Sequence, residues 1–422
     1  MRKKVLVRGP ALSLSGYGVH TRFALKSLRE HEERFEIFII NTRWGQTGWI
    51  WENSEFREWM DKKIIDTHHY INNKGQFDIS VQVTIPQEWE KLAPVNIGVT
   101  AGTETTRISP VWVEKSNIMD RIITTSKHTK FAFETSEYEA QNNQTGETIK
   151  GIKCTTPLTD VGYPIREFKP KELTDFNFET DFNFLSVAQW SIRKNMENMI
   201  TWFVEEFIDQ PVGLIIKTSI RNGSILDRYH TELKLRNLLK PYEDRKCKIY
   251  LLHGDFTDEE MTYIYRHPQI KALISMSHGE GFGLPLFEAS YNELPIVCPA
   301  WGGQNDFIFA PFTNKKGKTK MKPMVAKVDY DVSPIQKEAV WENVLIEGSM
   351  WCYPKQGSYK MRLREVYKNY DRFKKQAQGL KKWVLEEFEA KKQYKKFADI
   401  VCEEDVMALD EWLKDLSEEV YD

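Results

Sequence analysis

Short apolar runs alternate with amphipathic segments along most of the chain. Residues 4–8 form the first apolar run, and a turn rich in Gly and Ser follows at residues 9–18. In residues 19–30 the side chains of Thr21, Ala24, Leu25 and Leu28 recur at helical spacing. This order predicts a strand, a turn and a helix, which is the start of a βα unit.

The same alternation continues to about residue 356, after which the pattern is strongly helical. Further strands are predicted at residues 35–41, 79–85, 95–100, 121–125, 184–189, 213–218, 248–253, 270–276, 296–298 and 324–328. Helical or irregular segments separate most of these runs, which favours mainly parallel sheets covered on both faces. The fold class is therefore α/β, with doubly wound sheets.

A chain of 422 residues exceeds the size at which one core keeps growing, so two domains are expected. Residues 161–170 contain one glycine and two prolines before a polar stretch, which is typical of an interdomain connection. We predict an N-terminal Rossmann-like domain at 1–165, a C-terminal one at 175–355, and closing helices at 356–422. The polar stretch 142–148 is predicted to be a surface loop.

The overall charge indicates neither a nucleic-acid nor a membrane partner, because 59 Lys and Arg nearly balance 61 Asp and Glu. The five cysteines are scattered without C-x-x-C spacing, which argues against a disulfide framework and a zinc site and favours a reducing cytoplasm. The first apolar run is too short for a signal peptide, and no later run is long enough to span a membrane.

A cluster of lysines surrounds Gly317, and a solvated loop is the favoured interpretation of it. The cluster consists of Lys315, Lys316, Lys318, Lys320 and Lys322. The alternative is a surface that guides a polyanionic acceptor.

The strongest candidate for chemistry is the run from Ser277 to Ala289. It places Glu280 and Glu288 eight positions apart, between a predicted strand and a helix predicted at 284–291. Glycines alternate through the turn at positions 279, 281 and 283, so the backbone can adopt positive φ and approach a ligand closely. The start of a helix also offers unpaired N–H donors to an anion. The run is therefore suited to a sugar and a phosphate.

This run resembles the E-x7-E motif of the retaining glycosyltransferases of family 4, which share the GT-B architecture. Residues 294–298, followed by Gly302 and Gly303, fit the same pattern. The resemblance implies that Glu280 lies near the hydroxyls of the transferred sugar and that Glu288 accepts hydrogen bonds from the nucleotide ribose. It also assigns the amides that face sugar and diphosphate to Phe282, Gly283 and Leu284.

Residues 187–195 resemble the family segment that binds the donor phosphates. Lys194 matches the family's lysine, whereas Gln189 stands where an arginine is usual. Glutamine supplies hydrogen bonds without charge, so Arg193 is the candidate to compensate. Lys194 and Glu280 are the predicted catalytic pair. Arg193 and Gln189 are predicted donor-binding residues.

The loop after the first strand resembles the family's glycine-rich N-terminal loop, in which Gly16 and Gly18 are the candidates for close approach to the donor. It lacks the G-x-G-x-x-G order of a dinucleotide fold. Acceptor-side candidates are His20, Glu104 and His278, each with a structural alternative: a local hydrogen bond for either histidine, and an exposed or capping role for the glutamate.

The resulting hypothesis is a cytoplasmic retaining glycosyltransferase, a hexosyl- or pentosyltransferase, whose donor substrate is a nucleoside-diphosphate sugar. No Asp-x-Asp element lies near the motif, so neither a metal nor another cofactor is required. The acceptor stays open among a glycan, a lipid, a protein and modified DNA, and a homo-oligomer is compatible with the closing helices. The alternatives are a nucleotide- or carbohydrate-binding protein with little turnover and a Rossmann-type oxidoreductase.

Overall fold

The computed structural model describes residues 2–51, 53–141, 148–174, 176–313 and 317–402. Two six-stranded parallel sheets, each covered by helices, account for most of this chain. Predictions for residues 142–147 and 403–422, and for Lys315 and Lys316, lie outside the described residues.

The first lobe is built on a sheet with the strand order β2-β1-β3-β4-β5-β8, in which all neighbours are parallel. Serines at positions 15, 54, 109 and 126 begin its four helices, because each side chain accepts an N–H of the first turn. The elements are β1 (Lys3–Gly9), α1 (Gly16–Arg29), β2 (Phe35–Asn41), α2 (Glu55–Asn72), β3 (Ile79–Val83), β4 (Val95–Thr100), α3 (Pro110–Ser116), β5 (Arg121–Thr124), α4 (Lys127–Thr135), the hairpin β6 (Glu137–Gln141) and β7 (Thr148–Lys153), and β8 (Leu158–Asp160).

The second lobe is built on a sheet with the order β11-β10-β9-β12-β13-β16, again parallel throughout. Its elements are β9 (Asn183–Val187), α5 (Met196–Phe207), β10 (Gly213–Lys217), α6 (Ile225–Leu239), β11 (Lys248–Leu252), α7 (Asp258–Arg266), β12 (Ile270–Ile274), α8 (Leu284–Tyr291), β13 (Ile296–Pro299), α9 (Asn305–Ile308), the hairpin β14 (Phe309–Thr313) and β15 (Thr319–Pro323), β16 (Ala326–Val328), and the hairpin β17 (Tyr330–Pro334) and β18 (Met350–Pro354).

Three helices close the described chain: α10 (Gln356–Lys368), α11 (Tyr370–Glu387) and α12 (Ala390–Cys402). α10 packs on the second lobe against α5, whereas α12 packs against α1 of the first lobe. At that contact Phe397 meets Phe23 with ring centroids 5.3 Å apart, and Arg34 pairs with Asp399 at 2.8 Å. The chain therefore crosses between the lobes a second time before it reaches α12.

The α/β class and the parallel sheets predicted from the apolar runs are confirmed. The loop prediction is wrong for Lys320 and Lys322, which lie on β15 and pair with β14, but both are exposed, as a solvated segment requires. β8 and both strands of the hairpin β17–β18 were also missed. β8 and β17 are short and interrupted by polar residues, so neither contains an apolar run that would mark it. β18 is a short apolar segment that was not identified as a strand.

None of the described helices is both long enough and apolar enough to cross a bilayer.

An aromatic cluster joins the two lobes below the cleft. Phe282 of the second lobe lies 5.0 Å from Tyr163 of the connection between the lobes and 6.2 Å from Phe388 at the end of α11, measured between ring centroids. Tyr163 in turn contacts His20 and Phe23 of α1. The interdomain connection is thus packed into the core that both lobes share.

A hydrogen bond between the start of α4 and α9 also crosses the interface. The Lys127 N–H donates to Asp306 Oδ2 over 2.8 Å. Burial raises the pKa of the Asp306 carboxyl to about 6, and the Lys127 N–H only partly opposes that effect. A carboxyl whose pKa is higher in the folded chain than in the unfolded chain lowers the free energy of unfolding as the pH rises from the unfolded pKa to the folded pKa, and the loss is complete above the folded pKa.

We expect Asp306→Asn to stabilise the fold at pH 7.5, because the amide oxygen still accepts the Lys127 N–H and the buried charge is gone. The free energy of unfolding should rise by about 1–2 kcal/mol at pH 7.5. Near pH 2.5 the gain should vanish, because the wild-type carboxyl is then protonated in both states. Urea denaturation at the two pH values measures this. Asp209→Asn, at an exposed position, is the control, and an equal gain at both pH values would contradict the assignment.

Candidate functional site

The strand order of the second sheet reverses between β9 and β12, which are neighbours in the sheet. In open α/β sheets the connections diverge at such a point, and ligands bind in the crevice outside the carboxyl ends of the strands. Lys194 follows β9, and Glu280 follows β12. The topology therefore brings both residues to one crevice, which faces the first lobe.

Glu280 is the buried centre of a charge cluster. Its side chain is 10% exposed, and Lys194 Nζ lies 2.5 Å from its Oε1. Arg193 Nη1 approaches Oε2 at 3.4 Å. Burial opposes ionisation, but Lys194 and Arg193 together hold the pKa of Glu280 below its usual value. Glu280 is therefore an anion at neutral pH.

Arg193 extends this cluster to the first lobe. Its Nη2 lies 3.4 Å from Oε1 of Glu104, and its Nη1 donates to the Gly279 carbonyl over 2.8 Å. Burial and the adjacent Arg193 lower the pKa of Lys194. Two cations and two carboxylates thus meet where the lobes touch, and they neutralise each other there.

The glycines of the Glu280 loop, residues 277–283, fit tightly against the first lobe. A Cβ atom at position 279 would lie 2.1 Å from the Glu104 carbonyl oxygen, and one at position 281 would lie 2.2 Å from that of Ala101. Ser126 Oγ also donates to the Gly281 carbonyl over 2.7 Å. These two positions require glycine because backbone from the other lobe occupies the space.

Gly283 has a different requirement. It precedes α8 with φ +93°, a left-handed conformation that favours glycine. The first turn of α8 leaves N–H donors without partners within the helix. The Phe282 side chain is anchored in the aromatic cluster, and Leu284 Cδ1 lies 4.0 Å from where a Cβ at Gly16 would be. The helix start therefore faces the first glycine-rich loop.

Glu288 has surroundings that the sequence did not predict. Arg166 Nη2, from the interdomain connection, donates to its Oε1 over 2.7 Å, and the Tyr265 hydroxyl donates to its Oε2 over 2.9 Å. Burial raises the pKa of Glu288, although Arg166 opposes that effect. One sequence feature could have drawn attention to Arg166, since it is a cation among the glycine and prolines of the connection. No sequence feature pointed to Tyr265.

Two predicted donor-binding residues, Gln189 and Gly18, contact the backbone of their own lobes. Gln189 is exposed, and its Nε2 donates to the Ile220 carbonyl over 2.8 Å. Gly18 is packed against its own loop, since a Cβ there would lie 2.0 Å from the Ser13 carbonyl oxygen. The close approach at Gly18 is therefore to protein backbone.

The two histidines predicted on the acceptor side are both buried. His20 has zero exposure, no described residue hydrogen-bonds to its ring, and burial lowers its pKa to about 3. His278 Nδ1 lies 2.7 Å from the Cys352 carbonyl oxygen, and its ring stacks on Trp351. Both rings are therefore enclosed by protein, and the His278 contact is the backbone hydrogen bond given above as its structural alternative.

Within the described ranges, no three His, Cys, Asp or Glu side chains converge in a way that could hold a metal ion. The five cysteines are all free thiols. A cavity of about 310 Å³ lies elsewhere, behind α8, where Arg266, Asn292 and Lys374 are among its lining residues. It shares only Tyr265 with the groups around Glu288.

Comparison with known proteins gives structural matches alone: no family model and no curated sequence matches the chain. Sucrose-phosphate synthase from Thermosynechococcus elongatus superposes with a TM-score of 0.61 at 11% identity, covering 94% of this chain and 98% of that one. HepE of Anabaena, solved with UDP-glucose, gives 0.57 at 11% identity, with coverage of 95% and 100%. A glycosyltransferase from Rickettsia africae gives 0.56 at 12% identity, with coverage of 95% and 98%.

The chain has the GT-B fold. The superpositions establish the architecture. Sequence identities of 11–12% are too low to transfer the roles of individual residues. In this GT-B chain the cluster of Glu104, Arg193, Lys194 and Glu280 lies at the contact between the two lobes.

We expect Gly281→Ala to disturb the approach of the lobes while each lobe stays folded, because its methyl group would collide with the Ala101 carbonyl. The free energy of unfolding should fall by about 1–3 kcal/mol, the range for overpacking. Small-angle X-ray scattering should show a larger radius of gyration. Gly357→Ala is the control, because that position has open space around it. An unchanged radius in Gly281→Ala would contradict the contact.

Proposed function

We propose that the chain transfers a glycosyl group from a nucleoside-diphosphate sugar to an acceptor hydroxyl, with retention of anomeric configuration, as a family 4-like enzyme. The observation that carries the proposal is the buried Glu280, held by Lys194 and Arg193 beside the start of α8 and against the first lobe. Cations and helix N–H donors at one crevice suit a diphosphate, and an ionised carboxylate there suits sugar hydroxyls. HepE of Anabaena, which has the same fold, was solved with UDP-glucose.

In this mechanism Lys194, Arg193 and the first-turn amides of α8 bind the diphosphate and stabilise the charge that develops as it departs. Entry of the diphosphate gives Lys194 a second anion besides Glu280, and gives Arg193 a third besides Glu280 and Glu104. Glu280 then accepts hydrogen bonds from the sugar and fixes its orientation relative to the acceptor. Glu288, on the same helix, accepts those of the ribose.

Bond breaking and bond making occur on the same face of the sugar. The bond from the anomeric carbon to the phosphate oxygen breaks, and the acceptor oxygen forms the new bond to that carbon. The departing phosphate oxygen takes the acceptor proton, so the products are a glycoside and a nucleoside diphosphate. No side-chain nucleophile takes part, and neither buried histidine is used.

The rival from another class is a binding protein that keeps the cleft but has little turnover. Gln189 in place of an arginine is the feature that favours it. In the structure Gln189 faces the Ile220 carbonyl, while Arg193 and Lys194 supply two cations at the crevice. Release of nucleoside diphosphate from labelled UDP-glucose, GDP-mannose and ADP-glucose separates the two functions.

We expect Glu288→Ala and Lys194→Ala to affect different steps. Loss of the Glu288 acceptor should weaken binding of the nucleoside diphosphate roughly ten- to hundredfold. Loss of the Lys194 charge should lower kcat about 10²- to 10³-fold, as for removal of one charge-stabilising donor. Isothermal titration and steady-state kinetics measure the two effects.

Two controls guard this comparison. Lys194→Ala leaves a buried carboxylate with one partner fewer, so Lys194→Arg, which keeps the charge, should restore the unfolding temperature and only part of the rate. Lys395→Ala, which removes an exposed side chain of α12, should change neither the nucleotide affinity nor kcat. Unchanged binding in Glu288→Ala together with unchanged kcat in Lys194→Ala would overturn the site.

A further inference from the structure

Arg166 is a charged residue buried inside the connection between the lobes. Its side chain is only 18% exposed. The backbone on its N-terminal side is fixed, because the Ile165 N–H donates to the Phe388 carbonyl over 3.0 Å. A buried guanidinium loses its hydration, so it is stable only if nearby anions compensate its charge.

Those anions come from two helices of the second lobe. Arg166 Nη2 donates to Glu288 Oε1 over 2.7 Å, and Nη1 reaches both carboxylate oxygens of Asp258 at 3.1 Å. Asp258 begins α7 and is partly exposed, whereas Glu288 is 18% exposed on α8. Arg166 therefore joins the solvent side of α7 to the buried carboxylate of α8.

Glu288 is held from two sides. Arg166 binds one of its oxygens and the Tyr265 hydroxyl binds the other, so the plane of the carboxylate is defined. An ionised carboxylate has about four acceptor positions, two on each oxygen. One position on each oxygen is left for another donor, which matches two hydroxyls on adjacent ring carbons.

Other charged and titratable groups face this pair. Tyr291 of α8 and Lys217 at the end of β10 interact electrostatically with Glu288. Arg22 and Lys26 of α1 face Arg166 from the first lobe, and burial followed by Arg166 lowers the pKa of each, to about 10 for Arg22. Cations from both lobes therefore surround the pair, and among the cations that the structure describes Arg166 is the one hydrogen-bonded to the Glu288 carboxylate.

We propose that Arg166 is a positioning residue that orients the Glu288 carboxylate for the ribose diol of the donor nucleotide. The inference rests on the proposed function and adds to it a residue from the interdomain connection. It makes the connection part of the nucleotide site, since the segment that joins the lobes also sets the acceptor geometry on α8.

The consequence is a specific dependence on pH. Burial raises the pKa of Glu288 and Arg166 opposes it, so removal of Arg166 leaves the effect of burial less opposed. A protonated Glu288 accepts fewer hydrogen bonds. Nucleotide affinity of an Arg166 variant should therefore fall as the pH decreases through the further raised pKa, while wild-type affinity changes less over the same range.

The test is titration of the full chain with UDP, GDP and ADP at pH 8.5, 7.0 and 5.5. With whichever nucleotide the wild type binds, Arg166→Gln should weaken binding by roughly tenfold at pH 8.5, because a charge-assisted contact is lost. The loss should grow to about a hundredfold at pH 5.5, as Glu288 becomes protonated. In kinetics the change should appear in KM, with kcat altered less than threefold, because the reacting groups are untouched.

Two matched variants separate positioning from support of the fold. Asp258→Asn removes the other carboxylate that Arg166 contacts but leaves the contact between Arg166 and Glu288, so its affinity should be within threefold of wild type at every pH. Arg166→Lys keeps a charge and should recover most of the pH independence. Thermal unfolding identifies any variant that has lost its fold.

The outcomes distinguish this inference from the function on which it rests. If the wild type binds none of the three nucleotides, the proposed function and the inference fail together. If the wild type binds a nucleotide and folded Arg166→Gln binds it equally at all three pH values, the inference alone fails. A loss that is the same at all three pH values and is matched by Asp258→Asn would assign Arg166 a purely structural role.

Discussion

The burial of the Glu280 charge is the constraint on which the site depends. A carboxylate with little exposure is stable only with compensating cations, and those cations stand on the loop after β9. The parallel order of the second sheet places that loop next to the one that carries Glu280. Arg193 has one more carboxylate partner, Glu104 of the first lobe, so charge compensation inside one lobe also draws in the other.

The two carboxylates of the Glu280–Glu288 run stand in opposite environments. Lys194 and Arg193 hold the pKa of Glu280 low, whereas burial raises that of Glu288 despite Arg166. Their neighbours also differ in origin: those of Glu280 follow β9, and those of Glu288 come from the interdomain connection and α7. One sequence motif is thus supported by two separate parts of the fold, and each part is able to respond to a different portion of a ligand.

The aromatic cluster gives this arrangement a rigid base. Phe282 lies within the Glu280 loop, yet its ring is packed with Tyr163 of the connection and Phe388 at the end of α11. The same connection carries Arg166 three residues later. Packing and charge therefore act on one short segment, and a shift of the lobes would have to move the loop, the connection and the end of α11 together.

The sequence by itself determined the elements and the site's chemical character. Apolar runs of strand length predicted most parallel strands, because strands buried on both faces are apolar throughout, and the spacing around Glu280 marked a strand, a glycine turn and a helix. It did not mark β8 or β17, which are short and interrupted by polar residues. The closeness of Glu280 to Lys194 was expected only from a family resemblance, and the sheet order supplies its physical cause.

Only the tertiary structure decided which residues surround those groups. Arg166 is 122 positions from Glu288, and Glu104 is 89 from Arg193, so no local pattern relates them. Gly279 and Gly281 suggested room for a ligand, but the space beside them is filled by backbone of the other lobe. His20 lies on a helix beside a glycine-rich loop, yet it faces the core. Periodicity and spacing predict the secondary structure of a segment, whereas contacts between distant segments depend on how the two sheets pack together.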